Sequence, residues 1–436
     1  MTNQIFRRLT STPQMMAVFN DEAMLQAMLD FEKSLAVAGS RCNMFTSTAA
    51  DTISKCCQIS KFNISDLSEL ATQHGTIVVP LVQHLTKLVF VLDNAASGWV
   101  HFGATSQDVI DTAMITQLRK ALLILDVDTQ RLVSALEKLE DQYGEHIMIG
   151  RTLLQPSVPI TFGQKILGWK SALLRNWERV ESSASEAFVL QFGGAGGNLS
   201  SLGSNGKRIR EELSEILELS LPDEVWHVHR DRIVALCSSV AILVGGLGKI
   251  ALDVSLLMQA EVGEVTEQLN SDRGRSSAMP HKRNPVSCLV ALTAAKRVPH
   301  LVATLLDAMP QEHERALGGW QVEWVTVPAI IETAAGSLSA VANMCEGLVI
   351  HPEKMKDNLD ALNGLFMSER VMLALSQKIG KTQASEIVTE ACSKVFSQGK
   401  HLSEVLKADE RFTREIRPDE LDQLMVIEEF LGTSSF

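Results

Sequence analysis

Among the seven cysteines no CxxC pair occurs, and their number is odd. That scatter gives no sign of a disulfide framework, and the adjacent Cys56 and Cys57 do not make a metal site. Reduced thiols in a cytosolic setting are the simplest account. An excess of positive charge is also missing. Forty Lys and Arg stand against 52 Asp and Glu, a formal net charge of −12. This argues against nucleic acid or an anionic membrane as partner. Any anionic ligand must therefore be drawn in by a locally basic site. The N-terminal stretch MTNQIFRRLTSTPQ lacks the apolar core of a signal peptide. The apolar, uncharged run Ile233–Gly248 is 16 residues, short of the roughly 20 that span a bilayer. It reads as a helix buried inside protein, and the chain as soluble and cytoplasmic. There is no internal repeat, low-complexity tract or flexible linker, and hardly any period-2 strand signal.

What the chain does have is helical periodicity over most of its 436 residues. That length is too great for one compact core and implies two or three domains. Pro13–Ala38 reads as a first helix, followed by shorter pieces at 46–57, 64–73 and 77–92. From Ser106 to Glu145 an apolar stripe runs without proline and is interrupted only at Gly144; at ~1.5 Å per residue that helix would extend ~60 Å. Pro159–Leu190, Arg230–Leu269, Pro285–Met309 and Gln321–Leu348 are of the same type, and shorter helices return after Pro352. The expectation is an all-α protein with an N-terminal helical domain (1–100), a central long-helix bundle (101–350) and a C-terminal helical domain (351–436). One bundle could hardly cover so much apolar surface, so an oligomer sharing a larger bundle is expected.

Three segments stand out for chemistry. Gly274–Pro285 reads GRSSAMPHKRNP. Met279 before Pro280 is pushed out of the helical region, and Asn284-Pro285 reads as an N-cap with proline at the first helical position. A cationic, hydroxyl-bearing loop thus meets a helix N-terminus, whose free N–H groups, with Lys282 and Arg283, would bind anions. The second segment is VHFGATSQDVIDT, 100–112, with Thr105 or Ser106 at the N-cap and Gln107 and Asp108 in the first turn. Alone it would be plain capping. The third is GRTLLQPSVPITFG, 150–163. Three other features have ordinary readings. Gly246–Ala251 fits the loose pattern GxGxxA but lies inside a helical stretch rather than after a strand. His227-x-His229 lacks a further ligand set, and Glu312-His313-Glu314 fits a helix boundary.

The order of residues in Gly274–Pro285 resembles the signature loop GSSxMPxKxNP of the fumarase/aspartase superfamily, with Arg275 where glycine is usual. HxGATSQD and GRTxxQ are similar to that superfamily's first and second characteristic regions, and the likeness extends over essentially the whole chain. It implies the all-α fumarase/aspartase fold, a homotetramer whose active sites gather segments from different subunits, a small di- or tricarboxylate substrate, and no metal or organic cofactor. Ser276 matches the superfamily's proton-transferring serine, with Lys282 stabilising charge. Ser277, Met279 and Asn284, with Thr105, Ser106, Gln107, Arg151, Thr152, Gln155 and His101, are the implied substrate contacts. Leu153 stands where the C–N lyases of the superfamily carry histidine, the acid for their leaving group. An amine needs that acid; a carboxylate, with a reference pKa near 4, does not. The resemblance therefore leans towards the lactone-forming cycloisomerase branch. A C–N lyase and a non-catalytic oligomeric relative are the alternatives. Gln321, where that branch usually has histidine, is a third departure.

Overall fold

The computed structural model describes residues 4–268, 274, 278–279 and 281–432. Arg275, Ser276, Ser277 and Pro280 lie outside the described residues. The architecture is helical, with five long helices: Ser106–Tyr143, Phe162–Ala187, Asp231–Leu257, Val286–Asp307 and Gly319–Glu346. Cα packing divides the chain into two compact units. One comprises residues 1–131, 173–249 and 289–341, the other 132–172, 250–288 and 342–436.

Local chemistry explains where the helices break. The expected Pro13–Ala38 helix is two helices, Pro13–Val18 and Asp21–Arg41. Asn20 interrupts it because its side-chain oxygen accepts from Ala23 N–H at 2.7 Å, which starts a new helix. Gly75 ends the Ile64–His74 helix in the left-handed conformation at φ 67°. The expected Arg230–Leu269 helix stops at Leu257. There Val262 and Gly263 N–H turn back onto Gln259, and the chain continues as the strand Val265–Glu267.

The short sheets went unread in the sequence. Ile147–Thr152 pairs antiparallel with Gln155–Thr161, from Ile147 opposite Thr161 to Thr152 opposite Gln155. Gly150, Pro156 and Pro159 obscure the alternation, and a register shift falls between Ile149 and Arg151. The two turn residues, Leu153 and Leu154, both have positive φ, 51° and 64°. That is the backbone of a two-residue hairpin that normally carries Asn-Gly. The second pair joins Val265–Glu267 to Leu348–Ile350.

In the first unit, Phe31, Val109, Ile115, Phe192 and Trp226 are fully buried. In the second, Val371, Leu375, Ala384, Leu402, Phe412 and Leu421 form a continuous apolar cluster. Among the described residues three helices are, by length and composition alone, apolar enough to cross a membrane, so the charge-free-run criterion was too strict. In Asp231–Leu257 and Gly319–Glu346 the apolar window is 61% and 78% buried inside the protein, as expected of interior helices; in Val286–Asp307 it is 28%.

Candidate active site

In the first unit the Thr-Ser-Gln-Asp segment opens the Ser106 helix. Asp108, fully buried, turns its carboxylate back from the first turn. Its oxygens accept from Thr105 N–H (3.0 Å), Gly193 N–H (3.0 Å) and Gly194 N–H (2.9 Å), and one lies 2.7 Å from His227 Nε2. The two successive glycine N–H groups make a small anion nest. Gly194 is required there: at φ +71° any Cβ would sit 2.8 Å from the Gly103 carbonyl oxygen.

Gln107 is fully buried and both ends of its amide are engaged. Nε2 donates to the His227 carbonyl at 2.7 Å, and Oε1 accepts from Arg315 at 3.3 Å. Arg315 also donates to Thr105 Oγ1 (2.9 Å) and to the Ala195 carbonyl (3.1 Å). It thus staples the segment to the glycine-rich loop 193–197. His101 Nδ1 lies 2.6 Å from Glu32 Oε1 on the Asp21–Arg41 helix. Burial alone would pull that imidazole down; the Glu32 charge and hydrogen bond outweigh it and hold the ring above the ordinary histidine value. Ser106 is half-buried at the head of the helix.

Beneath this segment lies a buried ionic triad. Arg230 donates to both Asp111 oxygens (2.8 and 3.0 Å) and to both Glu323 oxygens (2.8 and 2.5 Å). Trp320 Nε1 adds a bond to Asp111 at 2.9 Å, and the guanidinium lies 4.7 Å from the Trp226 ring centroid. Burial opposes charge on Arg230, but the two carboxylates keep it firmly protonated; burial also pushes the Glu323 carboxyl up. A buried pair of this kind contributes little net stability, but losing one member is costly.

In the second unit, the Arg151 guanidinium is bidentate on Glu264 (3.0 and 2.7 Å), whose carboxylate also accepts from Asn358 Nδ2 at 2.8 Å. Arg151 therefore secures its hairpin to a buried acid. Thr152 and Gln155, flanking the turn, are exposed, and Leu153 at the tip is 97% exposed.

The segment after the signature loop differs from expectation at one point. Asn284 does not cap the following helix. Glu267 does: its oxygens accept from Ser287 N–H and Cys288 N–H, both at 3.2 Å. The helix N-terminus expected to hold an anion is already filled by a protein carboxylate. Asn284 N–H instead donates to the Gly274 carbonyl at 2.9 Å, and Lys282 N–H to that of Met279 at 3.0 Å. The Lys282 and Met279 side chains are exposed.

Two cavities accompany these segments. One, of about 620 Å³ in the first unit, is lined by Phe19, Met24, Met28, Met114 and Trp324 and contains none of the expected site residues. The other, of about 480 Å³ in the second unit, is lined by Gln155, Ser157, Phe366 and Phe396. Among the described residues no three His, Cys, Asp or Glu are grouped to hold a metal ion. Sequence reasoning did not single out Glu32, Glu264, Glu267 or Arg315. The signal for two of them was acidic residues within the otherwise apolar GEVTE stretch.

Comparison with known proteins gives a consistent answer. Residues 7–299 match the family described as Lyase, and residues 364–435 the adenylosuccinate lyase C-terminus. The chain is 41% identical over 430 residues to 3-carboxy-cis,cis-muconate cycloisomerase of Pseudomonas aeruginosa, covering 99% of this chain and 94% of that one. It is 39% identical to the Pseudomonas putida protein of the same name, over 97% of this chain and 100% of the relative. The crystal structure of 3-carboxy-cis,cis-muconate lactonizing enzyme from Pseudomonas putida superposes with a TM-score of 0.92 at 38% identity, covering 99% of this chain and 96% of that one.

Proposed function

This chain belongs to the lyase family of the fumarase/aspartase superfamily, and we propose that it is a cycloisomerase closing 3-carboxy-cis,cis-muconate to 4-carboxymuconolactone in protocatechuate breakdown. The observation that carries this reading is the likeness to cycloisomerases along the full chain. The residue at position 153 supports it. An exposed leucine at the hairpin tip offers no proton to a leaving amine, and lactone chemistry needs none.

In the lactonising direction one substrate carboxylate oxygen attacks a carbon of the diene, forming the ring C–O bond. The electron pair of that C=C bond moves to the neighbouring carbon, alpha to another carboxylate, giving a doubly charged aci-carboxylate. Ser276 then donates its hydroxyl proton to that carbon, and solvent reprotonates the serine. In reverse, Ser276 is the base, and its alkoxide requires nearby positive charge, for which Lys282 is assigned. With Glu267 already on Ser287 and Cys288 N–H, that stabilisation is assigned to the loop N–H groups together with Lys282. Ser277, Met279 and Asn284 line the same end of the substrate. Ser106, Thr105 and His101 meet a second carboxylate, with Gln107 holding the segment's shape. Thr152 and Gln155 meet the third, on a hairpin secured by Arg151. The protein is taken to work without a cofactor, as a soluble cytoplasmic homotetramer. Its subunit has three helical domains, 1–100, 101–350 and 351–436, and its sites are shared between subunits.

The test is loss of diene ultraviolet absorbance on adding 3-carboxy-cis,cis-muconate to wild type and to Ser276→Ala. Turnover by wild type with a fall of about 10³-fold or more in the variant is expected for loss of the proton carrier. Equal rates would remove Ser276 from that role. Adenylosuccinate cleavage in place of lactonisation would establish the C–N lyase reading instead.

A further inference from the structure

We infer that Glu32 is a positioning residue that keeps His101 charged, so that the imidazolium, through Nε2, receives a substrate carboxylate at the head of the Ser106 helix. This rests on the reading above, in which a tricarboxylate binds beside Thr105 and Ser106.

The geometry is specific. Glu32 is 1% exposed although it sits on a helix far from the segment in sequence. One of its oxygens lies 2.6 Å from His101 Nδ1; the other, Oε2, has no hydrogen-bond partner among the described residues. A carboxylate withdrawn from water and held by a single group requires a counter-charge at that group. His101 supplies it. The histidine is turned to do so by a left-handed backbone, φ 58°. A non-glycine residue adopts that conformation only when its surroundings enforce it. With Nδ1 committed inward and the side chain still 20% exposed, Nε2 is the nitrogen left for a ligand.

The groups facing the pair favour the charged form. Asp108, on the Ser106 helix, adds negative potential at the ring. It is itself held by two glycine N–H groups and His227. Cys57 lies beside Glu32, but burial first, and the Glu32 charge second, keep its thiol protonated and neutral. Arg315 spends its donors on Thr105 Oγ1, Gln107 Oε1 and the Gly194 and Ala195 carbonyls. His101, with Nδ1 on Glu32 and Nε2 left over, is therefore a cation at this segment that can still offer a donor outward.

The test uses the full chain labelled with ¹³Cε1-histidine and the variants Glu32→Gln and His101→Gln. Glutamine at 32 keeps the length and an acceptor oxygen but removes the charge. The His101 resonance, identified by its loss in His101→Gln, should titrate about one pH unit lower in Glu32→Gln. The alkaline limb of kcat/KM for 3-carboxy-cis,cis-muconate should move down with it, raising KM about tenfold above that limb with kcat little changed. His101→Gln should show the raised KM at every pH and no such limb, an arm that stands even where Glu32→Gln fails to fold. An unmoved His101 titration in Glu32→Gln would overturn the pairing. A moved titration with an unmoved kinetic limb would overturn the role at substrate. If wild type turns over no tricarboxylate, the proposed function fails, and the resonance titration alone decides the Glu32–His101 pair.

Discussion

Two helix N-termini in this protein receive their carboxylates from different places. The Ser106 helix carries an aspartate in its first turn, and Asp108 turns back onto Thr105 N–H at the head of its own helix while also reaching the N–H groups of a glycine loop and His227. The Val286 helix has no acid in its first turn. It receives Glu267 from a strand instead, and that carboxylate faces inward on Ser287 and Cys288 N–H. Position in the first turn says where an acid begins. Tertiary packing decides which N–H groups it satisfies. The first end is met by a carboxylate of its own first turn that it shares with a glycine loop, while the second is met by a carboxylate from a separate strand.

This contrast can be broken on either side. The largest effect is expected from Asp108→Ala, which strands two buried glycine N–H groups and the His227 ring together. Urea unfolding should show a loss of about 3–5 kcal/mol, and failure to lose more than a surface substitution would show that the nest is not a structural anchor. Next comes Glu267→Ala, which uncaps the Val286 helix. A loss of about 1–2 kcal/mol is expected, with Glu267→Gln recovering part of it. If the end then becomes an anion site, chloride or sulfate should stabilise Glu267→Ala more than wild type in thermal unfolding. The smallest effect belongs to a region without a cap. Replacing Leu153-Leu154 by Asn-Gly suits the positive-φ turn and should stabilise the hairpin by about 1 kcal/mol, read as a small rise in Tm.

Much of the fold was legible because long apolar stripes have a single interpretation. The Ser106 helix ends at Tyr143, close to the Glu145 read from its periodicity, and the interior character of the Asp231–Leu257 helix followed from composition. The hairpin was not legible, because two leucines occupy a turn whose chemistry calls for Asn and Gly. Within the site, the segment holding Thr105, Ser106 and Gln107 was found at the head of a helix. The functions of their neighbours were hidden, since Glu32 is 69 residues from His101 and Glu264 is 113 from Arg151. Pairings at such distances leave no periodic trace. Asn284-Pro285 misled for a related reason. It has the composition of a cap, but a buried glutamate arriving from Val265–Glu267 reached the helix N–H groups first.

That strand has a further consequence. Glu264, just before the strand, grips the hairpin through Arg151, and Glu267, at its end, grips the helix after the signature loop, with buried Val265 and half-buried Thr266 between the two attachments. Because side chains in a strand alternate sides, adding or removing one residue between the two glutamates would turn one of them away from its target. A substitution at Thr266 would cost the contact of its hydroxyl with His351 Nε2 at 3.1 Å but would leave the spacing of the two glutamates intact. A gap there would break one of the two grips, whereas a substitution at Thr266 leaves both glutamates on their targets.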